Sequence, residues 1–211
     1  MIKIDHLKKR IGERVLFDDL NVSIQKGEMV AITGKSGSGK TTLLNILGLL
    51  DREFQGHVAL YHENEALNLK NTDNIRRLYL GYLFQNFALI DDESVEDNLK
   101  LALKYTQLSS KEKTIAIEQS LMDVGLLNLG KRKVYELSGG EQQRVAVARL
   151  ILKPSTIILA DEPTGSLDRE NRDSILNLLK KLQLQGKTVI IVTHDVDVAD
   201  FCDRKINISS I

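Results

Sequence analysis

The sequence predicts an α/β fold: a core of alternating strands and helices into which a helical lobe is inserted. Three observations predict it. Apolar runs of strand and helix length alternate along most of the 211 residues. A glycine-rich loop, TGKSGSGKTT from Thr33 to Thr42, stands between an apolar strand and an apolar helix. One long segment, 95–133, breaks the alternation and reads as almost wholly helical.

In order, strand-like runs fall at Ile2–Leu7, Val15–Ile24, Met29–Thr33, Val58–Tyr61, Gly81–Phe84, Thr156–Ala160, Thr188–Thr193 and Lys205–Ile208. The opening MIKIDHLKKR alternates as a strand does. Helical runs follow at Lys40–Leu49, Glu141–Leu152 and Arg169–Gln185, the last closed by Gly186 as a C-terminal cap. Within 95–133, VEDNLKLALKY and KEKTIAIEQSLMDVG carry helix-length patterns. Repeats and low-complexity tracts are absent, and the only prolines are Pro154 and Pro163.

Composition narrows the function classes. With 42% hydrophobic and 27% charged residues the chain is ordinary for a soluble globular protein. Basic and acidic residues balance at 29 each, so no global field favours nucleic acid or an anionic bilayer. The single cysteine, Cys202, excludes an internal disulfide framework, suits a reducing compartment and is expected to pack near a helix end. The first residues lack the apolar stretch of a secretory signal. The longest apolar run, LLNILGLL, is too short to span a bilayer, so a membrane role is expected to come through a partner.

TGKSGSGKTT satisfies G-x-x-x-x-G-K-[ST] from Gly34 to Thr41, in the strand-then-helix context the motif requires. The alternative is a plain glycine-serine turn, which the full motif in that context disfavours. Gly34, Lys35, Ser36, Gly37, Ser38 and Gly39 are expected to curl backbone N–H groups around phosphate at a helix N-terminus. Lys40 reaches the β and γ phosphates, Thr41 holds Mg²⁺, and Thr42 completes the cradle. The chain therefore binds a nucleoside triphosphate.

A second strand, TIILADEP, delivers Asp161 and Glu162 to its C-terminal end, where open α/β sheets collect ligands. Asp161 is placed to complete the Mg²⁺ shell, and Glu162 to deprotonate a water aimed at the γ-phosphate. A third strand, TVIIVT, ends in His194, a candidate polar donor to the γ-phosphate. ELSGGEQQR poses a separate question. Ser138 and Glu141 form a Ser-x-x-Glu capping box, which leaves Gly139 and Gly140, costly in a helix, unexplained.

LSGGEQQR, with the phosphate loop before it, ILADEPTGSLD after it, the glutamine of YLFQNF and the histidine of VTHD, resembles the nucleotide-binding subunit of an ABC transporter over nearly the whole chain. The resemblance implies a P-loop NTPase core with an antiparallel β lobe. It implies one nucleotide-binding domain over 1–211 and a helical subdomain at about 92–152. It implies Gln85 as the Q-loop residue, joining Thr41 and Asp161 at Mg²⁺ and Lys40, Glu162 and His194 around the reacting phosphate. Ser138, Gly139 and Gly140 become the signature and Asp168 the D-loop aspartate. Two such subunits would form a head-to-tail homodimer around ATP, the bare backbone of Gly139 and Gly140 meeting the partner's γ-phosphate.

The chain departs from the family at Ile11, where related subunits usually carry an aromatic residue that stacks on adenine; modest ATP affinity and weak discrimination against GTP are expected. GEQQR and ADEPTG are similar to the lipoprotein-release and macrolide-export branch, and GYLFQNFALIDDESVEDNL adds a likeness to lactococcin-type bacteriocin-export ATPases. The resemblance implies ATP hydrolysis that drives export of a peptide or other amphipathic substrate through a separately encoded permease, at the cytoplasmic face of the membrane. Mechanical signalling through a membrane complex is the alternative. A small-molecule kinase has no use for LSGGEQQR. ABC ATPases that act on DNA or ribosomes carry coiled coils, fused cassettes and basic surfaces. In FQNFALIDDESV, the apolar Phe84, Phe87, Leu89 and Ile90 either pack core against lobe or anchor a permease helix beside Gln85.

Overall fold

The computed structural model describes residues 1–208. The chain starts with two long strands, β1 (Ile2–Ile11) and β2 (Arg14–Ile24), and β3 (Met29–Thr33) leads through the phosphate loop into α1 (Lys40–Leu47). Next come β4 (Gln55–His62), β5 (Glu65–Ala66), α2 (Thr72–Leu78) and β6 (Leu80–Leu83). The helical stretch holds α3 (Val95–Lys100), α4 (Ser110–Asp123) and α5 (Gly139–Leu152). The chain then alternates through β7 (Ile157–Asp161), α6 (Arg169–Leu184), β8 (Thr188–Val192), α7 (Val196–Phe201) and β9 (Arg204–Asn207).

The strands make two sheets. One is antiparallel, ordered β2-β1-β4-β5; the other is parallel, ordered β6-β7-β8-β3-β9. In β1 the burial alternation slips by one residue, from Ile4 to Leu7, because His6 adopts a left-handed φ of 53° and bulges the strand. The parallel strands are apolar on both sides because both faces are covered. Ile158, Ala160, Val189 and Ile191 face a cluster shared with α3, α4, α5 and α6, whereas Ile157, Leu159, Ile190 and Val192 face α1 and the antiparallel sheet. Lobe and core thus share one hydrophobic continuum.

Several boundaries differ from the expectation. The first helix stops at Leu47; Leu49 turns left-handed at φ 57° and the Leu50 N–H bonds the Asn45 carbonyl, a Schellman-type ending. The run VEDNLKLALKY is a six-residue α turn that tightens to 3₁₀ at Leu101–Leu103. The helix expected from Glu141 starts at Gly139, because Ser138 is its N-cap, so both glycines lie in its first turn. The short helices α2 and α7 and the two-residue β5 lie below the length at which periodicity is visible. Cys202 is half-buried at the end of α7, where burial pushes its thiol up to about 12, in keeping with a packing role. No helix among the described residues is long and apolar enough to cross a membrane.

Candidate nucleotide-binding and active site

Parallel pairing brings the C-terminal ends of β3, β8 and β7 side by side. The loop leaving β3 uses three glycines in the positive-φ region: Gly34 at 156°, Gly37 at 75° and Gly39 at 94°. Gly39 is the most constrained, since a Cβ there would stand 2.8 Å from Phe17 Cζ. Lys40 is buried along the loop, its Nζ donating to the carbonyls of Gly34 at 3.0 Å and Lys35 at 3.2 Å. Ser36, Gly37, Gly39, Lys40, Thr41 and Thr42 all line one cleft of about 580 Å³. Ser38 Oγ lies buried in the same loop with no hydrogen-bond partner among the described residues, an orphan that a ligand oxygen would satisfy.

Across the cleft, Thr41 Oγ1 donates to Asp161 Oδ1 at 3.2 Å. Burial pushes the Asp161 carboxyl up and the neighbouring Glu162 charge adds to that, against the opposing Thr41 hydrogen bond and Lys40 charge. A hydroxyl and a half-buried carboxylate that gains from a cation form a hard oxygen donor pair, so these residues fit Mg²⁺.

Glu162 follows at the strand end with φ 43°, a left-handed conformation that is costly for a long side chain. Its backbone N–H bonds the Val192 carbonyl at 2.9 Å, and the Thr193 N–H bonds the Ile32 carbonyl at 3.1 Å, which stitches the three strand ends together. One carboxylate oxygen is 2.7 Å from His194 Nδ1; the other accepts from Thr193 Oγ1 at 3.2 Å. Glu162 and His194 both line the cleft that holds Lys40. Thr193 was not singled out in the sequence, although its place before His194 put it at the same strand end.

Gln85 is exposed two residues beyond Leu83, the last residue of β6, which pairs with Ala160 of β7. The loop it belongs to is held from a distance. Phe87 and Ala88 both take positive φ, at 62° and 49°, and the Arg149 guanidinium of α5 donates to both carbonyls, at 2.9 Å and 2.5 Å. No sequence signal marked Arg149. Of the apolar residues expected near Gln85, Phe87 and Leu89 pack onto the helical core and Ile90 is exposed. Phe84 instead lines a neighbouring groove of about 460 Å³ with Leu78, Ala88, Leu101, Tyr105 and Leu150. Phe84 is thus parted from Phe87 and Leu89, which the loop uses for its own packing, and opens onto a groove between α2, the 101–106 segment and the end of α5.

Ser138, Gly139, Gly140 and Asp168 are not brought into the cleft of this chain. Ser138 caps α5: its Oγ accepts the Glu141 N–H at 3.3 Å, and its own N–H donates to Glu141 Oε2 at 2.8 Å. The two glycines then part company. Gly139 is exposed, with only Phe87 Cζ near a Cβ position, at 3.9 Å. Gly140 is buried, and a Cβ on it would stand 2.5 Å from Asn171 Oδ1. Its bare backbone is therefore required within the same chain, a packing reason that local sequence did not reveal. Asp168 caps α6, accepting the Asn171 N–H at 2.9 Å, and that bond holds its carboxyl below the usual range.

The remaining wall is formed by Ile11, Arg14 and Leu16. Ile11 is 57% exposed, and Arg14 donates to the Gly37 carbonyl at 2.8 Å, tying the β1–β2 turn to the phosphate loop.

Residues 17–165 match the ABC transporter family. The chain is 40% identical over 210 residues to the macrolide export ATP-binding/permease protein MacB of Campylobacter jejuni subsp. jejuni serotype O:23/36, covering 99% of this chain and 33% of that protein. It is 38% identical over 213 residues to MacB of Vibrio parahaemolyticus, again covering 33% of the relative. The chain thus spans about a third of the length of these relatives. A solved dimer of the ATP-binding cassette MJ0796, in a post-hydrolysis state bound to ADP and Pi, matches with TM-score 0.85 and 39% identity, over 98% of this chain and 94% of that one. The strand ends, the phosphate loop and these likenesses agree: the chain belongs to the ABC transporter family and is an ABC ATPase domain, of the class that binds ATP with Mg²⁺.

Proposed function

We propose that this chain, acting as one nucleotide-binding domain with its helical subdomain at about 92–152, hydrolyses ATP to energise an exporter of the macrolide-export and lipoprotein-release type. The observation that carries the reading is Glu162, held by Thr193 and His194 at the cleft that Lys40 and Thr41 also line, with Asp161 bonded to Thr41 beside it. The P-loop N–H groups and Lys40 bind the phosphates, with Ser36, Gly37, Ser38 and Thr42 around them. Thr41 and Asp161, joined by Gln85, would hold Mg²⁺, which would supply neutralising charge for the transferring phosphoryl group. Glu162 takes the proton of the attacking water, and His194 orients Glu162 and donates toward the γ-phosphate. Ser138, Gly139 and Asp168 stand outside this cleft, which suits contact with the nucleotide of a second copy; the dimeric MJ0796 cassette supports that arrangement.

The transported substrate is a peptide of bacteriocin type or another amphipathic molecule, moved by a membrane permease with this domain at its cytoplasmic face. The relatives' name, ATP-binding/permease protein, supports the pairing. The groove of Phe84, Leu101 and Tyr105 suits an amphipathic permease helix, next to the loop that carries Gln85. Affinity capture of tagged protein from detergent-solubilised native membranes tests this. An integral membrane protein should co-purify with wild type and be lost with Phe84→Asp/Leu101→Asp. Recovery of soluble partners only, or retention by the double variant, would count against the reading.

A further inference from the structure

Asn171, on the first turn of α6, makes contacts that no cap requires. Its Oδ1 accepts from Arg144 NH1 of α5 at 2.6 Å, and its Nδ2 donates to Asp168 Oδ2 at 2.7 Å. The same side chain lies against Gly140, where a Cβ would be 2.5 Å from Oδ1 and 2.6 Å from Cγ. One turn further along α5, the buried Gln143 donates from Nε2 to the Pro163 carbonyl at 2.5 Å. The start of α5 is thus strapped to both ends of the 163–168 loop: to the residue after Glu162 by Gln143, and to Asp168 by Asn171. An Asn side chain suits the second strap, since its short amide accepts from the guanidinium through oxygen and donates to the carboxylate through nitrogen at once. Glutamine would reach too far for the space that Gly140 leaves.

We infer that Asn171 is a positioning residue that locks the signature start, Ser138–Gly140, to the Asp168 loop, so that one subunit presents both to its partner as a rigid unit. This rests on the dimeric ATPase reading above. In that dimer the two segments must arrive at the partner's nucleotide together; a slack connection between them lowers the probability of the closed state without touching the chain's own P-loop. Gly140 is glycine in order to admit Asn171, and Gly139 is left as the exposed backbone.

The test uses the purified chain of residues 1–211. Glu162→Gln provides the ATP-dependent dimer, read by analytical ultracentrifugation, and ATP binding to the dilute monomer is read by a fluorescent ATP analogue. Adding Asn171→Ala should weaken dimerisation about tenfold, as expected for loss of hydrogen bonds to charged groups. Monomer ATP affinity should stay within twofold. Gly140→Ala should impair dimerisation in the Asn171 background but add nothing to Asn171→Ala, because the clashing side chain is gone. Dimerisation of Asn171→Ala at the unmodified concentration would overturn the inference, as would equal harm from Gly140→Ala in both backgrounds. A parallel fall in monomer ATP affinity and thermal midpoint would overturn it too, by showing a purely structural residue. If Glu162→Gln alone forms no ATP-dependent dimer, the dimeric reading fails first and takes this inference with it.

Discussion

On the proposed mechanism, replacing Glu162 with glutamine would remove the base and little else. The carboxylate accepts from Thr193 Oγ1 at 3.2 Å and meets His194 Nδ1 at 2.7 Å. The glutamine carbonyl can keep the Thr193 bond, and its amide can donate to His194 in the tautomer with unprotonated Nδ1. The structural cost is then one weakened hydrogen bond, about 1 kcal/mol. The backbone cost at φ 43° is shared by both side chains, so glutamine is a cleaner probe than glycine, which would relax it. Losing a positioned general base slows hydrolysis by a factor of about 10²–10⁴, or about 3–5.5 kcal/mol of barrier. ATP affinity should hold, because Lys40 and the loop N–H groups are untouched. Phosphate release measured in single turnover, alongside equilibrium ATP binding, separates the two. Hydrolysis at the wild-type rate would refute Glu162 as the base, and lost ATP binding would refute its separation from the phosphate cradle.

Three further outcomes follow from the same geometry. Gly39→Ala forces a side chain into φ 94° and against Phe17; the strain, about 1–3 kcal/mol, should weaken ATP binding tenfold or more in a filter-binding assay, and unchanged binding would show that the loop relaxes freely. Ile11→Tyr should tighten ATP by about fivefold and sharpen ATP over GTP preference, since stacking adds on the order of 1 kcal/mol; no change in competition titrations would remove base stacking at this position. Lys9 is buried and bonds the partly exposed Asp51 at 2.8 Å and the Glu53 carbonyl at 2.6 Å, so Lys9→Met should cost about 1–3 kcal/mol at neutral pH. Burial pushes the Asp51 carboxyl up, but Lys9 and the Glu53 N–H hold it below the usual range. A depressed folded pKa stabilises above the unfolded value and is lost as pH falls through the folded one, so the Lys9→Met penalty should shrink in acid. Urea midpoints at pH 7 and in the acid range check this, and a pH-independent penalty would refute the pairing.

Much of this protein was determined by sequence alone. The phosphate loop is local chemistry: glycines able to take positive φ, an apolar strand before them and a helix after them suffice to place Lys40 and Thr41. The apolar runs ending at Asp161 and His194 announced buried strands with polar termini, and parallel pairing then had little choice but to put those termini on one edge. The tertiary structure decided what depends on residues far apart in the chain. Short elements such as α2 and α7 have too few turns to show a period and are held by packing. Thr193 and His194 meet Glu162 only because β8 lies beside β7. Phe87 and Leu89 turn into the core because Arg149, on another helix, clamps the carbonyls of their loop. The two signature glycines look alike in sequence, yet only Gly140 lies against Asn171. A glycine records that something comes close, and only the assembled fold brings the neighbour that does.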